Sequence, residues 1–278
     1  MPLLSKTLTP VRLCAALVLS LLLASPAHAK PNFERLFAGR DGCFQLYDLK
    51  ANKVIVRYDS GGRCKKRVSP ASTFKVPLSL MAFDAGVLKN ERSTIKWDGK
   101  KTARKEWNRD QTAASWMKYS VVWFSQRLTP KIGIKRLVDY LTIFQYGNQN
   151  MSGGITQAWL QSSLLISPDE QLRFWRRFWR EEFPVSKHAY DMTKKITLIG
   201  RSRSGWTLHG KTGSGAMVSD KGKLLRGTGW FVGHIGRGDK EYVFVTQYTD
   251  RGTPRDRRPP GWIARDITER ALKDLGLY

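Results

Sequence analysis

Ser72-Thr-Phe-Lys75 places a hydroxyl and an amine three positions apart. On a helix that spacing brings both to one face. A lysine so placed meets the serine hydroxyl, and burial lowers its pKa until it can serve as a base toward a serine nucleophile. The residues that follow, Val76-Pro-Leu-Ser-Leu-Met-Ala-Phe83, are largely apolar, so burial is expected. The same letters recur at Ser115-Trp-Met-Lys118. The pattern alone therefore does not choose between the two, and the ordinary role of either serine is to cap a helix.

A second element is Lys211-Thr212-Gly213, followed by Ser214. A lysine and a hydroxyl on a strand can bind a carboxylate, and glycine lets the substrate backbone approach. The stretch from Gly205 to Thr212 also spells G-x-x-x-x-G-K-[ST]. Its middle residues, Trp206-Thr-Leu-His209, are bulky and strand-like. Gly213-Ser-Gly215 stands where a phosphate-binding helix would begin. Nucleotide binding is therefore set aside as a match of letters without its context.

These elements need a scaffold that brings distant segments together. The 278 residues are 41% apolar, which suits a folded core and excludes wholesale disorder. The N-terminal part reads as a β-hairpin, with runs at residues 43–48 and 54–58 and a turn at 50–53. A helical run follows over about 72–85, and the middle, about 90–182, reads as mostly helical. Ser167-Pro-Asp-Glu170 is a capping box with proline at the first helical position. Leu172, Trp175, Phe178, Trp179 and Phe183 recur after it at helical spacing, a core stripe. Strands return at 206–210, 229–235 and 241–248, the last two joined by a hairpin loop at 236–240. A final helix spans about 262–275. Strands at both ends with helices between predict an α+β fold: an antiparallel sheet built from both chain ends, with an inserted all-helical subdomain. Residues 30–278 form one domain, with a sheet lobe at about 30–85 and 200–278 and a helical lobe at about 86–199.

The first 29 residues read as an export signal. Lys6 and Arg12 precede an apolar stretch from about residue 13 to 24, and Ala27-His-Ala29 supplies the cleavage pattern. The stretch is short for a membrane span; the alternative is a retained anchor. Cleavage after about Ala29 would deliver the chain to the periplasm with no stable membrane span. Cys43 and Cys64 would remain and pair as a disulfide, closing a loop of about 20 residues; the alternative is two buried thiols. No metal is expected, because His188, His209 and His234 lie at no ligand spacing to a cysteine. Lys and Arg number 48 against 23 Asp and Glu, a net charge of +25 that favours anionic partners. The basic clusters at 63–67, 100–105, 173–180 and 251–258 are spread over loops and a helix. They read as a solvated cationic surface and exclude a nucleic-acid partner.

Taken in order, the motifs resemble the class D serine β-lactamases, the oxacillinase type, of the penicillin-binding and transpeptidase-like fold. The match runs through Ser69-Pro-Ala-Ser-Thr-Phe-Lys75, Lys96-Trp-Asp-Gly-Lys100, Trp107-Asn-Arg-Asp110, Ser120-Val-Val122, Tyr146-Gly-Asn148, Gln157-Ala-Trp-Leu160, Lys211-Thr-Gly213 and Gly229-Trp-Phe-Val-Gly233. The resemblance implies a β-lactam substrate and an acyl-enzyme on Ser72. Lys75 would be an N6-carboxylysine, carboxylated by carbon dioxide, and would act as general base; no other cofactor is implied. Trp159 would hydrogen-bond the carboxylate, Ser120 would relay a proton, and Val122 would shield the lysine. The backbone N–H groups of Ser72 and Ser214 would form an oxyanion hole. Lys211, Thr212, Gly213 and Ser214 would line the substrate site. An arginine at the start of the last helix often holds the substrate carboxylate in this family. Arg265 lies near that place, and either reaches the site or points away. The alternative function is a β-lactam sensor or penicillin-binding protein that is acylated without efficient turnover. Substrate preference and oligomeric state stay open.

Overall fold

The computed structural model describes residues 30–218, 224–254 and 256–278; the export signal at 1–29 lies outside the described residues. Helix α1 is a single turn, Phe33–Leu36, and β1 (Arg40–Asp48) and β2 (Lys53–Asp59) form the N-terminal hairpin. A 3₁₀ turn, Ala71–Phe74, runs directly into α2 (Lys75–Asp84). Pro77 falls in the first turn of α2, where a missing N–H costs little. A two-strand pair, β3 (Thr94–Ile95) and β4 (Gln111–Thr112), leads into α3 (Ala113–Tyr119), α4 (Val122–Ile132) and α5 (Ile134–Phe144). Helices α6 (Pro168–Trp179) and α7 (Lys187–Thr197) complete the insertion.

The chain then returns to strands: β5 (Leu198–Arg201), β6 (Thr207–Val218), β7 (Leu224–Arg237) and β8 (Lys240–Asp250). Helix α8 (Pro260–Asp274) follows. The six strands form one sheet, ordered β2-β1-β8-β7-β6-β5, and every neighbouring pair is antiparallel. Both chain ends thus build the sheet, as the sequence pattern predicts. The turn between β7 and β8 is tighter than the pattern suggests. Arg237 pairs with Lys240, and Gly238 takes the left-handed φ of +61° at the turn's first position.

The pleat sorts side chains to two cores with a period of two. Trp230, Val232, Val243 and Val245 face the helical lobe, and Phe231, Ile235, Phe244 and Tyr248 face α8. The insertion is less helical than its apolar content suggests. Residues 96–110 and 145–167 are largely irregular, because glycines, asparagines and serines interrupt the helical period there. The capping box at Ser167 is formed: the Glu170 N–H donates to Ser167 Oγ (3.3 Å) and the Ser167 N–H to Glu170 Oε2 (2.9 Å). Cys43 and Cys64 are bridged, with sulfurs 2.06 Å apart. Among the described residues, no helix is long and apolar enough to cross a membrane.

Candidate active site

Ser72 sits in the 3₁₀ turn that feeds α2. The turn starts with Ala71 at φ +48°, a left-handed conformation that an alanine adopts only when its surroundings impose it. Those surroundings are specific. Ser69 Oγ donates to the Trp159 carbonyl (2.6 Å) and accepts from the N–H groups of Ala71 (3.2 Å) and Gln161 (2.9 Å). Trp230 Nε1, from β7, donates to the Ser69 carbonyl (3.0 Å). The turn is therefore clamped between the sheet and the 159–161 loop. Gly213 on β6 completes the clamp, since a Cβ there would lie 2.9 Å from the Pro70 carbonyl oxygen and 3.1 Å from Thr73 Cγ2.

Lys75 is the first residue of α2 and is 1% exposed. Its Nζ lies 3.5 Å from Ser72 Oγ. Burial holds its pKa well below the usual lysine range, and the nearby charges of Lys211 and Arg104 push it the same way. The neutral amine is thereby favoured. Beside it, Phe74 stacks on Trp159, ring centroids 5.2 Å apart. Trp159 is 1% exposed, and its Nε1 is buried with no hydrogen-bond partner. A buried donor left unpaired costs about 1–3 kcal/mol, so this N–H is an unmet donor in the wall of the site.

Ser120 caps α3 in the left-handed region, at φ +57° and ψ +40°. Ser72, Ser120, Val122, Thr212 and Ser214 line one cleft of about 640 Å³. Lys211 is 5% exposed and lines the adjoining cavity, which shares Thr212 with the cleft. Its Nζ donates to the Thr212 carbonyl (2.9 Å), and its pKa is lowered to about 7 by burial and then by Arg104.

Arg265 does not join this group. Its Nε donates to Glu269 Oε1 (2.7 Å) one turn along α8, and it lines the adjoining cavity. The helix start that meets the strand is instead Gly261, whose N–H donates to Ser214 Oγ (2.9 Å). A Cβ at Gly261 would lie 2.9 Å from the Gly213 carbonyl oxygen and 3.0 Å from Thr212 Cβ, so α8 packs there too closely for a side chain. Arg265 thus lies outside the cleft that holds Ser72, in the adjoining cavity that it lines together with Lys211 and Thr212.

The two other motif matches resolve as structural. Ser115 Oγ donates to Gln111 Oε1 (2.7 Å) and accepts from the Thr112 N–H (2.9 Å), closing a capping box at the start of α3. The letters from Gly205 to Thr212 lie mostly in strand β6, which has no phosphate cradle. Sequence reasoning missed Arg104, Trp107 and Trp262 on the cleft wall. Arg104 was hidden within a basic cluster that reads as surface. Trp262, 62% exposed, carries no signal separate from an ordinary helix residue. Among the described residues, no group of three or more His, Cys, Asp or Glu side chains stands where it could hold a metal ion.

Comparison with known proteins agrees with this geometry. The penicillin binding protein transpeptidase domain matches residues 42–269. Beta-lactamase OXA-1 of Escherichia coli is 40% identical over 221 residues, 77% of this chain and 78% of its own. The probable beta-lactamase YbxI of Bacillus subtilis is 38% identical over 260 residues, 91% of this chain and 90% of its own. Among solved structures, the class D beta-lactamase BAT-2 superposes with a TM-score of 0.78 at 37% identity, covering 90% of this chain and 97% of its own.

Proposed function

The chain belongs to the class D β-lactamases, within the penicillin-binding transpeptidase fold family, and from that premise we propose that it hydrolyses penicillin-type β-lactams through an ester on Ser72. The observation that carries the reading is a fully buried lysine, its pKa held well below the usual lysine range, 3.5 Å from a serine hydroxyl, with the neighbouring Phe74 stacked on an indole whose N–H has no acceptor. A carboxyl group added to Lys75 from carbon dioxide fits that pocket. Only a neutral amine takes up carbon dioxide, and Trp159 Nε1 is the donor free to hold the product. When present, that group supplies an oxygen base beside Ser72.

The chain's own residues then do the rest. Ser72 Oγ attacks the lactam carbonyl carbon, and its proton leaves on the Lys75 side. The C–N bond breaks, and Ser120 passes a proton to the ring nitrogen, leaving the acyl group as an ester on Ser72. Backbone N–H groups of Ser72 and Ser214 hold the carbonyl oxygen, each such donor contributing about 2.7–4 kcal/mol in the transition state. Water then attacks the ester carbonyl, the C–O bond breaks, and Ser72 recovers its proton as the acid departs. Lys211 and Thr212 bind the substrate, Gly213 keeps the strand close to the nucleophile turn, and Val122 limits water at the lysine.

We place the activity in the periplasm, after removal of residues 1–29, where it confers resistance on the cell. The test mixes residues 30–278 with a chromogenic β-lactam. Repeated turnover that is lost in Ser72→Ala supports the reading. A single stoichiometric burst would instead indicate a sensor, and no reaction would sink both.

A further inference from the structure

The cleft wall carries a cation that the roles above leave unused. Arg104 lines the same cleft as Ser72, Ser120, Thr212 and Ser214. It directly precedes the 3₁₀ turn Lys105–Trp107, and its guanidinium lies over the Trp107 ring, 5.1 Å from the centroid. Trp107 is in turn fixed: its Nε1 donates to the Tyr119 carbonyl (2.9 Å), next to Ser120. Among the described residues, no carboxylate lies within ion-pairing distance of Arg104, although Glu106 lines the same cleft.

A fused-ring β-lactam carries a carboxylate that must be matched by a lasting positive charge. The obvious donors are compromised. Arg265 is committed to Glu269 and faces the adjoining cavity. Lys211 is buried, donates to the Thr212 carbonyl and holds its charge weakly near neutral pH. Arg104 is close enough to act on the charges of both Lys75 and Lys211. An arginine guanidinium is planar and grips a carboxylate with two parallel donors. Lys118 also lines the cleft, but its ammonium lies over the Tyr119 ring and is a point charge without that fork.

We propose that Arg104 is a substrate-binding residue that receives the ring carboxylate, the part that a last-helix arginine would otherwise play. The proposal rests on the β-lactamase reading. Its test measures steady-state kinetics of Arg104→Gln, Arg104→Lys and Lys118→Gln on one penicillin and on its methyl ester. Arg104→Gln should raise KM for the acid about tenfold, the low end for a lost hydrogen bond to a charged group, with kcat unchanged. Arg104→Lys should recover most of that loss, and the ester should be indifferent to Arg104→Gln. An equal loss on acid and ester would overturn the proposal and leave Arg104 as a support for Trp107. An unchanged KM, or a rise found only in Lys118→Gln, would also overturn it. Failure of the β-lactamase reading is distinct, because the parent protein would then turn over neither compound.

Discussion

Ser72–Lys75 and Ser115–Lys118 share one spacing and have opposite fates. Lys75 opens α2 between Phe74 and Val76, all three fully buried, and among the described residues it pairs with no carboxylate. Lys118 lies in the last turn of α3 and is exposed, where a cation complements the helix dipole. Ser115 spends its hydroxyl on a cap, whereas Ser72 stands in a strained turn with its hydroxyl toward Lys75 and the cleft. The spacing creates the possibility of a serine–lysine pair. Desolvation of the lysine is what sets the two pairs apart, and that depends on what packs around it.

The comparison breaks first at the serines. Ser72→Ala should remove turnover by about 10⁴-fold or more and abolish covalent labelling by a β-lactam, read by intact mass. Full activity in Ser72→Ala, or its loss in Ser115→Ala, would reverse the assignment. The lysines sharpen it next. The amine of Lys75 is neutral only above its lowered pKa, so falling pH protonates it and disfavours carboxylation. Degassed acidic pre-incubation should therefore lower activity and bicarbonate should restore it, while Lys75→Ala should stay inactive with or without bicarbonate. Trp159→Ala should slow deacylation by about 10- to 100-fold, more than acylation, and increase the bicarbonate dependence, as followed by stopped-flow and ester trapping.

A smaller effect lies upstream of the reactive turn. Reduction of Cys43–Cys64, which spans 21 residues, should cost about 3 kcal/mol of stability, measured as a shift in the urea midpoint. Lys211→Ala should raise KM about tenfold with a lesser change in kcat; an unchanged KM would remove it from the binding site. Smallest of all, Ser115→Ala should keep full activity and lose about 1 kcal/mol as α3 loses the Ser115 half of its capping box while Thr112 still caps it, visible in thermal melts.

Much of the scaffold was legible because its signals are local. The Ser167–Glu170 box lies within four residues, and the hairpin runs and the final helix declare themselves by period and turn residues. The ordered motifs also single out Ser72, Lys75, Ser120 and Lys211 by their spacing along the chain. Strand β5 was missed, because four residues with an exposed Leu198 carry no alternation to read. The irregular stretch at 145–167 was overread as helix from its apolar content. Its shape follows instead from side-chain bonds such as Asn148 Nδ2 to the Ser163 carbonyl (2.8 Å), made across fifteen residues.

The chain's own order of residues thus determined the fold class and the family and singled out Ser72 as the candidate nucleophile, since each rests on spacing along the backbone. Tertiary structure alone decided which serine–lysine pair is desolvated, that Trp159 Nε1 is left without a partner, and that Arg104 rather than Arg265 lines the cleft with Ser72. Burial and charge fields are set by groups far apart in the chain, such as Lys75 and Lys211, and no local pattern encodes how closely the folded backbone brings them together.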